Sequence, residues 1–322
     1  MKRFDVTALG ELLIDFTESG KSPQGNPLVE ANPGGAPCNV LAMLNKLGKK
    51  TAFIGKVGND AFGRQLSEAV GKSGTDISGL VTDNDVHTTL AFVHTLSGGE
   101  REFSFYRNPG ADMMLRKDEV KEDIIKSARI FHFGTLSLTH DSVREATRYA
   151  VDIAKKNNLL VSFDPNLREP LWNSLDDAKV QIEYGLSKCD ILKISDNELE
   201  FITGICDYQK GAKLLLDTYK IPIIFVTMGK EGSLACYKDA IVFKETFSDI
   251  KPIEKTGAGD TFTACAINYI LDNGLDNLSE NNLRELLTFA NAAASIITTR
   301  KGALNSMPER EEIEALINLY KA

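Results

Sequence analysis

Residues 159–227 read LLVSFDPNLREPLWNSLDDAKVQIEYGLSKCDILKISDNELEFITGICDYQKGAKLLLDTYKIPIIFVT, and their alternation decides the fold. Three short apolar runs, Leu159–Asp164, Asp190–Ile194 and Ile221–Thr227, are separated by helically spaced stretches at Leu175–Ser187 and Tyr208–Lys220. Continuous apolar runs belong to strands covered on both faces, and helical connections between them make the sheet parallel. Just upstream, Arg129–Gly134 (RIFHFG) reads as another strand. His140–Asn157 then sets Val143, Ala146, Ala150 and Ile153 on one helical face. In such sheets ligands lie beyond the carboxyl ends of the strands, which here are Asp164, Ile194 and Thr227.

The first third has another texture. Thr88–Thr95 and Arg101–Arg107 alternate and flank LSGGE at 96–100, which predicts a β-hairpin with a Gly-Gly turn. Glu11–Phe16 and Leu28–Asn32 are further short strand candidates. Segments 11–34 and 86–110 therefore read as a small β-sheet inserted in a single α/β domain spanning 1–322, placed to act as a lid. The last third is mostly helical, at Gly259–Asn273, Ser279–Arg300 and Pro308–Tyr320.

The 322 residues are 43% hydrophobic and 25% charged, the composition of an ordinary globular protein. A net charge of −8 without any run of five or six like charges argues against nucleic acid and anionic membranes as partners. The five cysteines, Cys38, Cys189, Cys206, Cys236 and Cys265, are odd in number and form no Cys-x-x-Cys. Reduced thiols in a cytoplasmic protein are the expectation. The start MKRFD leads into no signal-peptide core, and no run of about 18 apolar residues occurs to span a membrane.

Among the motifs, TGAGDTF at 256–262 precedes the apolar helical face of Phe262, Cys265, Ala266, Tyr269 and Ile270. Gly257, Ala258 and Gly259 thus open a helix, where free N–H groups and the positive dipole end suit an anion. Asp260 in that first turn is either a capping acid or a base beside a phosphate cradle. Two other phosphate motifs are excluded. Gly20-Lys21-Ser22 has Asp15 where a P-loop needs its first Gly, and Phe262 breaks the dinucleotide fingerprint.

Gly34, Gly35 and Asn39, ahead of a predicted helix at Val40–Leu47, either present N–H and amide groups to a polyol or form an ordinary capped turn. Asp15, ending the run Leu12–Ile14, either accepts two sugar hydroxyls or is a solvated strand end. Asn197 and Glu200 share a helix face. They suit a Mg²⁺ held through waters, or a plain helix start. Thr227–Gly232, with Gly229, either cradles a triphosphate or turns into a strand at Ser233–Tyr237. His132 reads as a core residue and His140 as a surface one. No nucleophile elbow and no zinc-type His motif is present.

In chain order, Asp15, Gly34-Gly35…Asn39, Asn197-x-x-Glu200, Thr227–Gly232 and Gly257-Ala258-Gly259-Asp260 resemble the ribokinase-like (PfkB) family of sugar kinases, from Gly10 to Pro308. Three stretches are similar to fructokinases: REFSFYRNPGAD at 101–112, FDPNLREPLW at 163–172, and Phe289–Asn291 together with Lys301–Ala303. The resemblance implies a three-layer α/β/α core with a mainly parallel sheet and a small β-sheet lid. It implies ATP and Mg²⁺ as cofactors and transfer of the γ-phosphoryl group to the 6-hydroxyl of fructose. By position, Asp260 resembles the base, and Gly257, Ala258 and Gly259 the anion hole. Asp15, Gly34, Gly35, Asn39, Arg107 and Arg168 fall to the sugar. Lys193, Asn197, Thr227, Gly229, Gly232, Gly259 and Asn291 fall to the nucleotide, with Asn197 and Glu200 linked to Mg²⁺.

The family segment Asp-Thr-Thr-Gly-Ala-Gly-Asp here reads Glu254-Lys255-Thr256-Gly257-Ala258-Gly259-Asp260. Relatives hold a monovalent cation at positions matching Glu254, Thr256, Gly302 and Ser306. With a longer carboxylate and an adjacent ammonium, the expectation is that Lys255 partly replaces K⁺. Alternatives left open are a 2-keto-3-deoxygluconate kinase, with Arg107 or Arg168 clamping the acid, and an inactive regulatory member of the family. Bare strand edges in the small sheet suit pairing across a homodimer.

Overall fold

The apolar runs form strands because each is buried from both sides. In the run Ile223–Thr227, Ile223 and Phe225 pack into one hydrophobic core while Ile224 and Val226 pack into another. Successive side chains of a strand point to opposite faces, so a strand between two cores needs apolar residues throughout. The computed structural model describes residues 2–95, 101–247 and 249–320.

In chain order, β1 (Val6–Leu9), β2 (Leu13–Lys21) and β3 (Pro27–Gly34) lead to α1 (Ala36–Lys46), β4 (Thr51–Gly58), α2 (Ala61–Lys72) and β5 (Asp76–Asp83). Then come β6 (Leu90–Thr95), β7 (Arg101–Tyr106), α3 (Glu122–Lys126), β8 (Ile130–Gly134), α4 (Asp141–Lys156), β9 (Leu160–Asp164) and α5 (Leu175–Lys188). They are followed by β10 (Ile191–Ser195), α6 (Asp196–Thr203), α7 (Tyr208–Tyr219), β11 (Ile223–Thr227), β12 (Ser233–Tyr237) and β13 (Ala240–Lys244). The chain closes with α8 (Ala258–Asn273), α9 (Glu280–Ile297) and α10 (Arg310–Leu319).

The large sheet has nine strands in the order β13-β12-β11-β10-β9-β8-β1-β4-β5. It is parallel from β5 to β11, and the hairpin strands β12 and β13 run antiparallel at one edge. Residues of α1, α2, α8, α9 and α10 fill one core and residues of α3 to α7 the other, which makes three layers. A second sheet of four strands, β3-β2-β6-β7, leaves the body through the link after β1. The hairpin pairing of β6 and β7 is present, while its predicted turn at 96–100 lies outside the described residues.

Several boundaries differ from the sequence reading. β2 continues to Lys21, so Asp15 lies inside a strand, paired with Asn32 and Ala91, and does not end one. α1 begins at Ala36 with a proline in its first turn, where a missing N–H costs nothing. The sequence reading does not anticipate β1, β4, β5 and β13, nor α2 and α3. β4 carries Gly55 and the buried Lys56, which break its apolar run. Lys56 is tolerated there because Asp83 (2.9 Å) and Glu119 (3.0 Å) neutralise it.

One packing detail fixes the strand end at Asp164. The Phe163 ring lies flat against Gly185 of α5, so a Cβ on Gly185 would meet ring atoms at 2.2 Å. An exposed helical Gly→Ala change gains up to about 1 kcal/mol. Here Gly185→Ala is expected to cost about 1–3 kcal/mol through overpacking. Urea unfolding checks this, and a variant as stable as wild type contradicts the contact.

Candidate active site

The carboxyl ends of β1, β8, β9, β10 and β11 open on one side of the large sheet, where the TGAGD turn and the start of α1 meet them. Gly257 caps α8 with φ of 80°, and a Cβ there would lie 2.8 Å from the Ala303 side chain. A side chain at this position is excluded on both counts. The first turn of α8 thus places the N–H groups of Gly257 and Gly259 with Asp260 beside them, while the Ala258 N–H reaches the Lys255 carbonyl at a long 3.4 Å.

Asp260 is 8% exposed. Its Oδ2 accepts the Asn39 amide at 2.8 Å, and Asn39 rides on the first turns of α1. Burial pushes the Asp260 carboxyl up to about 6. The Asn39 hydrogen bond opposes this, Asp164 adds to it, and Lys193 and Arg168 draw it back. Asn39 Oδ1 is buried and has no hydrogen-bond partner among the described residues.

Lys193, buried on β10, pairs with Asp164 at the end of β9 (3.1 Å). A Cβ on Gly259 would lie 2.9 Å from the Lys193 ammonium, so the glycine lets the cation reach the helix opening. Burial works against the ammonium, but Asp164, then Glu198 and Asp260, outweigh it and hold its pKa above the usual lysine value. Thr263 donates to the Gly259 carbonyl (2.9 Å), with Asp164 Oδ2 3.3 Å away.

The segment after Asp164 is pinned to its neighbours. Asn166, in the left-handed region at φ 46°, donates its N–H to Asp164 (3.2 Å), and Leu167 N–H donates to Glu198 (2.7 Å). Glu198 also receives Ser195 N–H, closing a capping box on α6. Arg168 is exposed; its guanidinium contacts the neighbouring Leu167 carbonyl and acts on Asp260 through charge.

At the small sheet, a Cβ on Gly34 would meet an Asp15 carboxylate oxygen at 2.3 Å, so Asp15 and the Gly34-Gly35 turn stand together. Gly35, with φ of 127°, passes over the Glu11 carbonyl. On the nucleotide side, half-buried Thr227 ends β11 and a short turn through Gly229 and Gly232 enters β12. Both readings of this stretch are therefore compatible.

Several of the expected site residues have partners within the protein. Arg107 is buried and held by the protein itself. Its Nε donates to Asp112 (2.9 Å), Nη1 to Thr139 (2.9 Å) and Nη2 to the Leu136 carbonyl (3.0 Å), which fastens the end of β7 to the body. Asn291 uses both amide hydrogens on the Lys244 and Glu245 carbonyls and accepts from Ser233, so it shapes the crevice and has no donor left for a nucleotide. Asn197 and Glu200 are exposed on α6 as expected, but Glu200 accepts the Cys206 thiol (3.1 Å). Lys255 is exposed and does not occupy a cation pocket. Instead the buried Glu254 carboxylate takes the Thr256 hydroxyl (2.6 Å) and Gly302 N–H (3.1 Å), while Ser306 donates to Lys301.

Sequence reasoning passed over Asp164 as a charge partner, Glu198, and Glu11 between β1 and β2. Asp164 carried a signal, an acid ending a fully apolar run. His132 is the core residue that its place in an apolar run predicts, bonded to Ser162 (3.1 Å). It also lines the cavity that Glu11, Asp164 and Asp260 share.

Comparison with known proteins gives the family and the fold. A family model described as pfkB family carbohydrate kinase matches residues 3–310. The chain is 43% identical over 305 residues to a probable fructokinase-2 of Arabidopsis thaliana, covering 94% of this chain and 92% of that one. A solved fructokinase from Xylella fastidiosa with bound ATP superposes with a TM-score of 0.89 at 28% identity, covering 99% of each chain. A fructokinase from Vibrio cholerae O395, solved with fructose, ADP and calcium, gives 0.87 at 28% identity, covering 98% of this chain and 99% of that one.

The Asn39 bond to Asp260 has a direct consequence. Asn39→Ala removes the hydrogen bond that favours the ionised form, so the Asp260 titration midpoint, read by carboxyl NMR, moves upward from about 6. An unmoved midpoint contradicts the bond.

Proposed function

The chain belongs to the pfkB family of carbohydrate kinases, and from that premise we propose that it transfers the γ-phosphoryl group of ATP to the 6-hydroxyl of fructose. The observation carrying this reading is the placement of a buried carboxylate, Asp260, in the first turn of a helix whose glycine opening faces the Lys193 ammonium. Phosphoryl transfer needs positioning and charge stabilisation more than covalent help. Asp260 accepts the proton of the attacking hydroxyl: its pKa, raised to about 6, makes it a stronger base than a free aspartate, and because the rise stops there it is still mostly ionised at neutral pH. The N–H groups of Gly257 to Gly259 and the Lys193 charge meet the negative charge that builds on the phosphoryl oxygens.

The sugar is assigned to Asp15, Gly34, Gly35 and Asn39, with exposed Arg168 at the rim. The unpartnered Asn39 Oδ1 suits a hydroxyl donor. ATP is assigned to the turn from Thr227 to Gly232, with the small sheet as the lid that keeps water from the phosphate. Among the described residues no group of three His, Cys, Asp or Glu is arranged to hold a metal by itself. That fits Mg²⁺ arriving with the nucleotide phosphates, with the exposed oxygens of Asn197 and Glu200 as its outer partners. The metal supplies charge neutralisation on those phosphates. The five free thiols suit a reducing compartment, the cytoplasm in this reading. No described helix is long and apolar enough to cross a membrane. The outer strand β3, with Leu28 and Val29 exposed, offers an edge for a second copy.

The Glu254 site does not fit a monovalent cation well, because Thr256 and Gly302 already donate to its two oxygens. The carboxylate itself joins the loops behind the anion hole. Replacing Na⁺ by K⁺ is therefore expected to change the rate less than twofold, and a several-fold rise contradicts this.

The decisive assay is ADP release with Mg·ATP over fructose, 2-keto-3-deoxygluconate, ribose, glucose, tagatose and adenosine. Fructose is expected to turn over fastest, with Asp260→Ala losing at least ~10²-fold in kcat while remaining folded. Preference for the keto-deoxy acid contradicts the sugar assignment, and an Asp260→Ala rate within threefold of wild type contradicts the base.

A further inference from the structure

Glu11 lies in the link of residues 10–12 between β1 and β2, where the chain passes from the large sheet to the small one. It is 4% exposed, an unusual setting for a carboxylate with no direct salt bridge among the described residues. Its Oε1 accepts the N–H of Ala36 at 2.8 Å, the first residue of α1. The packing around it leaves no slack. A Cβ on Gly35 would lie 2.4 Å from the Glu11 carbonyl, and one on Gly10 would lie 2.5 Å from the Pro37 ring. Three residues into α1 comes Asn39, whose amide holds Asp260. On the other side Arg107, which fastens β7 to the body, attracts the Glu11 carboxylate, while its partner Asp112 repels it.

We propose that Glu11 is a positioning residue: its ionised carboxylate pins the first turn of α1 and the Arg107 arm to the body, and through Asn39 it holds Asp260 in its proton-accepting orientation. This rests on the assignment of Asp260 as the base. A negative charge at a helix N-terminus is favourable, and the ionised form draws both Ala36 N–H and Arg107 more strongly than the neutral acid does. Burial pushes the Glu11 carboxyl up to about 7. Its own N–H and that of Ala36 oppose the rise, as does Arg107, and Asp112 adds to it. The other titratable groups around it are Cys38 on α1, whose thiol burial pushes well up, and His132 on β8, pushed down to about 3 by burial and then Lys193. Asp164 and Asp260 complete the set. Glu11 switches over the pH range in which Asp260 also switches, one step higher.

The test compares wild type with Glu11→Gln, which keeps the shape and the Ala36 acceptor but removes the charge. In wild type, kcat/KM for the sugar falls with acid through about 7 and then about 6. In the Gln variant the upper step is lost and the acid limb moves down, with kcat at pH 8.5 reduced roughly 10-fold, short of the ~10²-fold of a 1 Å misplacement. A Gln variant with the wild-type limb and rate overturns the proposal.

Stability gives a readout that needs no substrate. A carboxyl whose folded pKa is raised contributes stability at low pH that is lost as pH rises through about 7. The Tm of Glu11→Gln relative to wild type is therefore expected to increase from pH 5.5 to 8.5, and a constant gap overturns the proposal whether or not a sugar is turned over. Should the Gln variant not fold, Glu11→Asp, which retracts the carboxylate from Ala36, is expected to lose kcat. An Asp variant with the wild-type rate overturns the proposal. Wild-type protein that phosphorylates none of the sugars overturns the base assignment instead.

Discussion

A carboxylate in the first turn of α8 has been taken almost wholly out of water, and the surroundings of Asp260 follow from that constraint. Burial alone drives a carboxyl toward its neutral form, and a neutral Asp260 accepts no proton. The Asn39 amide and the charges of Lys193 and Arg168 hold the value near 6. Asp164 works in the opposite sense on Asp260, yet it anchors Lys193, which would otherwise be a lone buried cation. The result is a carboxylate basic enough to take a hydroxyl proton and acidic enough to remain ionised near neutral pH.

The glycines follow from the same crowding. Gly259 is bare because the Lys193 ammonium comes up against it, Gly34 because the Asp15 carboxylate does, and Gly257 because the loop carrying Ala303 closes behind the helix start. A phosphate cradle and a sugar-binding turn both need backbone at close range, and these contacts leave no space for a side chain. Arg107 and Asn291 carry the complementary lesson. Both amide hydrogens of Asn291 and most donors of Arg107 are spent inside the protein, so these side chains act first on the shape of the site.

Much of this was legible in the chain itself. The apolar runs at 159–164 and 221–227 carry the parallel sheet openly, because a strand between two cores has no polar face to dilute its pattern. Gly257-Ala258-Gly259-Asp260 and Gly34-Gly35 stand out for the same steric reasons that make them necessary. β4 was not legible, since Gly55 and Lys56 interrupt it and the acids that neutralise Lys56 lie 27 and 63 residues further on, at Asp83 and Glu119. Arg107 looked like a ligand because its partners Asp112, Thr139 and Leu136 are set by tertiary contacts that no spacing rule reveals. Adjacency alone points to Lys255 as a substitute cation, yet Lys255 is exposed, and it is the buried Glu254 carboxylate that reaches both Thr256 and Gly302.

The measurement that bears most directly on the central claim is a crystal structure with fructose and a non-hydrolysable ATP analogue bound together. The account predicts the sugar's 6-hydroxyl oxygen within about 2.6–3.2 Å of the Asp260 carboxylate, with the terminal phosphate over the N–H groups of Gly257 to Gly259 and in contact with Lys193. A sugar seated with that hydroxyl turned away from Asp260, or a terminal phosphate away from the α8 opening, would contradict it.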